Sequence, residues 1–455
     1  MSSGKTKELT QGNAFPLLLS FTVPILLGSV LQQFYLLTDS AIVSNFLGVG
    51  QLAAVGASTS ITFLILGFCN GCAGGMAIPV AQAFGARDYA ALRRFVFTAL
   101  RLAAVISVLL GCISALLCRN IITWINVPQE IAGWAFSYLV ILFLGIPCSF
   151  FYNLLASIIR ALGDSRTPFR FLVFSTCLNI LLDLFFILVC GLGVAGAAVA
   201  TIVAQGVSAI LCYRFMMRSY DVLRECPEDR AFSGKAAKQL LGIGVPMGLQ
   251  FSITAIGSIM IQSSNNALGT AYVAAFAAGI RIKMLFMVAL ESLGIAMTTF
   301  CGQNLGAGKP ERILEGVRAC MIMITVYCAA CFVIVWPLAG TFARIFVGPS
   351  DTEIIVAAVR YIRTSVAFFF ILGTLCLLRY SIQGMGFTNF AMWSGVMEMI
   401  ARVLVSLFLV APLGFTAICF ADAIAWFAAN LFLVPAFIHV YRRVSAKTSP
   451  GIVQA

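Results

Sequence analysis

Two acidic residues, Asp39 and Asp183, stand inside long apolar stretches of the first half of this chain. A carboxylate placed in hydrocarbon costs a few kcal/mol on insertion scales, so it faces a partner or a wet cavity. Asn179 precedes Asp183 by four residues in "CLNILLDLFF", and that spacing puts both on one helix face. Their oxygens can converge on a cation or share a proton. Tyr138, Asn153 and Thr201 are polar groups in neighbouring apolar stretches that can join them. Two carboxylates held close in a low dielectric cannot both ionise freely, and the pair reads as a proton or Na+ switch. The plainer alternative is that each is a satisfied packing group near a helix end. Pro24 lies about four turns before Asp39. Proline removes a backbone hydrogen bond and kinks a helix, so it is a candidate hinge beside the acidic site, with a static bend as the alternative.

The second half departs from this pattern. The position matching Asp39 falls near Ile261, which is apolar. Its embedded charges are Arg281, Lys283 and Glu291, then Glu398 and Arg402, the last two spaced for an intrahelical pair. Arg281 and Lys283 are two apart and cannot both sit centrally on one face; at least one lines a cavity or snorkels. Gln33, Tyr35, Gln205, Arg281, Lys283 and Met287 are the candidates for contact with a small-molecule ligand. Methionine adapts to varied ligands and aromatic faces attract cations, which suits lipophilic, cationic molecules.

The elements that must position these residues are membrane spans. Hydrophobic residues make up 61% of the chain and charged residues only 10%, against about 25% charged in a soluble domain. The apolar residues come in continuous blocks of about 20, long enough to cross a hydrocarbon core. In lipid each backbone polar group needs an internal partner, so the fold class expected is an all-α polytopic membrane protein of about twelve helices. Spans are expected to begin near Ala14, Ala53, Leu92, Trp134, Pro168 and Val194, and again near Gln239, Tyr272, Ile313, Ile355, Phe390 and Phe415. This gives an N-terminal tail over 1–13, a six-helix lobe over 14–217, a polar linker over 218–238, a second six-helix lobe over 239–441 and a tail over 442–455.

The net charge of +12 reads as loop bias rather than as a nucleic-acid surface. Basic residues gather at the N-terminus (Lys5, Lys7), after every even span, where Arg160 and Arg379 are counted, and at the C-terminus. That is the positive-inside pattern, and it puts both termini in the cytoplasm. No cleavable signal peptide is read at the start. Two CxxC spacings, Cys69–Cys72 and Cys328–Cys331, fall inside spans, where cysteine behaves as a small hydrophobe. With one histidine, no GxSxG elbow and only the fragment "SSGKT" of a P-loop, the sequence carries no enzyme motif and implies no cofactor.

The halves repeat at a separation of about 221 residues. "AQAFGARDYAALRR" from Ala81 answers "GQNLGAGKPERIL" from Gly302, pairing Gln82 with Gln303 and Gly85 with Gly306. Pro24 answers Pro246, and Gly163 answers Gly386. Together with "LQQFYLLTDS", "ASIIRALGDSRTP" and "NILLD", these stretches resemble the multidrug and toxic compound extrusion (MATE) family over nearly the whole chain, and its DinF-type prokaryotic branch in particular. The resemblance implies two six-helix lobes forming a V-shaped central cavity. It implies export of amphipathic, often cationic compounds in exchange for H+ or Na+, in a bacterial plasma membrane and as a monomer. By position it assigns the ion site to Asp39, Asn179, Asp183 and Thr201, with Tyr138 and Asn153 nearby. The second-lobe carboxylates of the NorM-type branch have no match here. A flippase for a lipid-linked precursor, from the same wider superfamily, is the alternative.

Overall fold

The computed structural model describes residues 8–124, 127–347 and 351–448, and among these the chain is helical with no β-strand. Lys5, Lys7, the "SSGKT" fragment and the end of the C-terminal tail lie outside the described residues. The first half runs α1 (Ala14–Leu47), α2 (Val49–Gly85), α3 (Tyr89–Leu116), a short α4 (Cys118–Trp124), α5 (Gln129–Leu144), α6 (Ile146–Ala161), α7 (Arg166–Leu184) and α8 (Val194–Ser219). The second runs α9 (Gly234–Asn266), α10 (Thr270–Gly306), α11 (Pro310–Phe346), α12 (Thr352–Ala367), α13 (Phe369–Gly384), α14 (Thr388–Leu404), a short α15 (Val410–Leu413) and α16 (Phe415–Thr448). Every span start expected from the sequence lies within about five residues of an observed helix start.

Among the described residues ten helices are long and apolar enough to cross a membrane. Two further spans are bent pairs, α5 with α6 at 47° and α12 with α13 at 49°, which brings the total to as many as twelve. At about 1.5 Å per residue, helices of this length exceed a hydrocarbon core of roughly 30 Å, so their ends reach the headgroup layer.

The chain divides into two compact units. One comprises Met1–Leu9 with Val23–Leu249, the other Thr10–Thr22 with Gln250–Ala455. The division of α1 falls immediately before Pro24, and that of α9 shortly after Pro246. Both helices run unbroken through their prolines.

Within the first unit, α2 and α9 meet at backbone contact. A Cβ added to Gly75 would sit 2.7 Å from Gly244 Cα, and one on Gly248 would sit 2.8 Å from the Phe68 carbonyl oxygen. Small residues thus let the two backbones touch, as the Gly244–Gly248 spacing suggests. Cys69 and Cys72 are buried in the same core.

The loops are tied by charge. Asp164, in the "LGDSRTP" stretch, accepts from the backbone N–H groups of Arg166 (2.9 Å) and Thr167 (3.0 Å), the first donors of α7. Its other oxygen accepts from the hydroxyls of Thr167 (2.6 Å) and Tyr220 (3.0 Å), so one side chain joins the start of α7 to the end of α8. Burial, and then the Asp164 carboxylate, push the Tyr220 hydroxyl well above the ordinary tyrosine range, keeping it a donor. Arg93 holds the polar linker through Asp229 (2.8 Å) and the Val222 carbonyl (2.9 Å). In the second unit, Lys309 and Arg312 donate to the carbonyls of Thr10 (3.1 Å) and Gly12 (2.8 Å).

Arg160 and Arg379, counted with the loops, are among the arginines that lie inside helices. Arg160 lies in the last turn of α6 and donates to Ser157. Arg379 lies in α13, buried, in an ion pair with Glu398. A buried carboxylate on a neighbouring helix makes an intramembrane guanidinium tolerable, and this partner is invisible in a count of loop charges.

Candidate functional site

The acidic site is built around the hairpin of α7 and α8. Directly after Asp183 the helix widens into a π-helical turn, Phe185–Val189. Single π turns inside helices concentrate at functional sites, because the extra residue shifts the faces on either side. The turn that follows uses Gly191 (φ 67°) and Gly193 (φ 58°), conformations that favour glycine. Gln51 of α2 then caps α8, its Oε1 accepting from the Val194 N–H at 3.1 Å. Asp183 and Thr201 lie equally far from this turn along their strands of the hairpin, and so come level.

Their side chains close into one polar cluster. With the amide orientation that satisfies both of its groups, Asn179 donates to Asp183 Oδ2 at 2.9 Å and accepts from the Thr201 N–H at 3.1 Å. The Thr201 hydroxyl donates to the Ala197 carbonyl at 3.1 Å. Its oxygen is therefore left to accept from the Tyr35 hydroxyl, also at 3.1 Å. The Asp39 side chain, from α1, comes within hydrogen-bonding and electrostatic reach of that of Asp183. Tyr138 of α5 stands within electrostatic reach of both carboxyls. Asp183 is fully buried, and Asp39 Oδ1 and Asp183 Oδ1 are buried with no hydrogen-bond partner. No lysine or arginine pairs with either carboxyl among the described residues.

An ionised carboxylate only accepts hydrogen bonds. Two of them in direct contact need a proton between them or a cation bridging them. The donor set of two carboxyls, an amide and two hydroxyls suits either a proton or a hard monovalent cation.

Asp39, Asn179, Asp183, Thr201 and Tyr138 thus come together in the first unit. Tyr35, assigned from the sequence to ligand contact, joins them through Thr201. Asn153 is on α6, its amide donating to the Ser149 carbonyl at 2.9 Å. Ser149 in turn donates to Gln205, one turn along α8 from Thr201. Pro24 is buried in α1, and Gln33 is half-buried on the same helix. In the second unit Arg281 is exposed and Met287 half-buried. Lys283 is held by Asp422 (2.5 Å) and the Tyr361 hydroxyl (2.9 Å).

Glu398 and Arg402 do pair along α14, at 3.3 Å. They belong to a larger network that the sequence reading missed. Arg402 also binds Asp422 at 3.1 Å, and Glu398 also binds Arg379. Asp422, Tyr361 and Arg379 went unrecognised. The repeat contains the signal that finds two of them: Tyr138 steps to Tyr361, and Thr201 steps to Asp422.

Among the described residues, ten to twelve apolar spans with an acidic cluster buried among them make this a multi-pass membrane protein. A protein-family model for MatE matches residues 24–185 and again 246–408, once in each half. The chain belongs to the MATE family, whose members are transporters and not enzymes. It is 28% identical over 366 residues to the "Probable multidrug resistance protein YpnP" of Bacillus subtilis, covering 80% of this chain and 81% of that one. It is 25% identical over 378 residues to the "Probable multidrug resistance protein NorM" of Thermotoga maritima, covering 82% and 80%. In fold it is similar to a multidrug resistance MATE family transporter solved in an outward-facing conformation, with a TM-score of 0.89 over 98% of this chain and 99% of the other at 22% identity.

Proposed function

We propose that this MATE transporter is an antiporter. It exports amphipathic, often cationic organic compounds in exchange for H+ or Na+, and the exchanged ion binds between Asp39 and Asp183. The observation that supports this reading is the close approach of two carboxyls in a buried cluster that pairs with no lysine or arginine among the described residues. A proton or cation entering there is stabilised by both carboxyls at once. Asn179, Thr201 and Tyr35 fix their positions.

Exchange requires drug and ion to weaken each other's binding. In the cycle we envisage, an ion enters from outside and bridges the pair, α1 bends near Pro24, drug affinity falls and drug leaves. The loaded carrier then turns inward, releases the ion and collects new drug. The protein works as a monomer in a bacterial plasma membrane with both termini in the cytoplasm. It needs small drug-like molecules and the bilayer as partners, and no nucleic acid or cofactor beyond the coupling ion.

Purified protein in liposomes tests this. A pH gradient and a Na+ gradient, imposed one at a time, are expected to show which ion drives an ethidium-type dye against its own gradient. Uphill dye movement is expected to vanish in Asp39→Asn and in Asp183→Asn. Full gradient-driven movement in either variant would refute the mechanism. Transport of a labelled lipid in place of the dye would favour the flippase alternative.

A further inference from the structure

The repeat extends to the backbone around the acidic site. The π-helical turn Phe185–Val189 after α7 has a counterpart in Val405–Leu409 after α14. Gly193, with φ 58° and ψ −142°, precedes α8, and Gly414, with φ 56° and ψ −136°, precedes α16. Tyr361 of α12 stands in sequence where Tyr138 stands in α5, and Asp422 of α16 where Thr201 stands in α8. The second unit therefore repeats the scaffold of the acidic site.

The two copies differ in charge. Among the described residues, the first holds two carboxyls that pair with no lysine or arginine. In the second, Ile261 takes the place of Asp39, and the polar groups form an alternating chain. Lys283 binds Asp422, Asp422 binds Arg402, Arg402 binds Glu398, and Glu398 binds Arg379. Glu291 lies within electrostatic reach of Arg379. Three cations, Lys283, Arg379 and Arg402, thus alternate with two ion-paired carboxylates, Asp422 and Glu398. The Lys283 ammonium sits between a carboxylate oxygen and a tyrosine hydroxyl, donating to both. Arg402 and Arg379 engage carboxylates on or next to their own helix, but Lys283 reaches from α10 to α12 and α16. An ammonium is a compact point charge on a flexible stem, the side chain that can stand in for a small ion.

We propose that the second unit contains a second monovalent-cation site, formed by Asp422 and Tyr361, whose resident cation is the tethered ammonium of Lys283. The inference rests on reading the first unit's cluster as the exchanging ion site, and adds that the two sites divide into one exchanging and one permanently filled copy. Deleting the Lys283 charge strips Asp422 Oδ2 of its cation and leaves Oδ1 on Arg402, which Glu398 shares. That bared carboxylate oxygen, beside a tyrosine hydroxyl, takes a free monovalent cation.

The test separates this from the reading it rests on by first disabling the exchanging site. In Asp39→Asn/Asp183→Asn, melting of the detergent-solubilised protein is measured against Na+ at constant ionic strength, with tetramethylammonium as the bulky balancing ion. This parent is expected to show no Na+ response. Adding Lys283→Ala is expected to produce a saturable Na+-dependent rise in melting temperature, and ethylammonium is expected to raise it too, by refilling the space of the lost side chain. Adding Asp422→Asn as well is expected to abolish both responses. If Lys283→Ala is too unstable to isolate in tetramethylammonium, recovery of folded protein in ethylammonium or Na+ becomes the readout. Equal recovery in all three salts, or no recovery in any of them, overturns the proposal. So does a Lys283→Ala variant that folds but stays indifferent to Na+ and ethylammonium, and this leaves the exchanging site untouched. A Na+ response already present in the parent overturns the assignment of exchange to the first unit alone, and with it the permanently filled second site.

Discussion

Replacing Glu398 with glutamine removes a buried carboxylate that Arg379 and Arg402 share. Glu398 is 3% exposed, its Oε1 facing Arg379 and its Oε2 facing Arg402 at 3.3 Å. Arg402 keeps Asp422, but Arg379 loses its ion pair and keeps the Ser394 hydroxyl at 3.0 Å, with the Glu291 carboxyl within electrostatic reach. A buried charge stripped of its partner costs about 3–5 kcal/mol, because desolvation is no longer offset by attraction. The Glu398→Gln variant is expected to lose that amount of stability. Melting of the solubilised protein can be followed by fluorescence of Trp336, Trp393 and Trp426, all in the second unit. The companion variant, Arg379→Met with Glu398→Leu, removes the outer pair whole, one cation together with one carboxylate. It is expected to regain at least half of the loss, since apolar replacement of a whole buried pair is often neutral or stabilising. A Glu398→Gln variant that melts like the parent, or a double variant that falls as far as the single one, would refute the reasoning.

Thr201→Val keeps the shape of the side chain but leaves the Tyr35 hydroxyl without its acceptor, which is expected to destabilise by about 1–3 kcal/mol, with Thr201→Ser restoring most of it in the same melting assay. Tyr220→Phe loses the bond to Asp164 and is expected to cost about 1 kcal/mol near neutral pH. Because the Tyr220 hydroxyl is pushed up from its ordinary 10.0, its contribution is full below that pH and is lost as pH rises beyond it, so the gap between parent and Tyr220→Phe should narrow in alkali. Gly75→Leu forces a side chain into the backbone of Gly244 and is expected to abolish folded protein in a detergent-extraction assay, while Gly242→Leu, where a Cβ meets open space, is expected to be tolerated.

The spans were legible because hydrophobic length in a membrane is a one-dimensional property; every expected start falls close to a helix start. The acidic site was nearly as legible, since a carboxyl in an apolar block is costly and stands out. Asn179 and Asp183 follow from helical spacing alone. Tyr35 was not placed with them, because its link to Thr201 crosses from α1 to α8 and no local spacing encodes it. The second unit's network stayed hidden for the same reason. Arg379 and Asp422 sit near the ends of apolar blocks and pass for loop charges until their partners on other helices are seen. The bends at Gly145 and Phe368 were also unread, since each span is one apolar block in sequence.

In the proposed cycle, drug and ion compete through the two carboxyls of the first unit. The measurement that addresses it most directly is the equilibrium affinity of the solubilised protein for an ethidium-type dye, with and without the coupling ion, at constant ionic strength. The account expects the ion to weaken dye binding by about 5- to 150-fold in the parent, the usual range of coupling between sites. It expects no ion effect in Asp39→Asn or Asp183→Asn. An ion effect that survives undiminished when both carboxyls are replaced would contradict it.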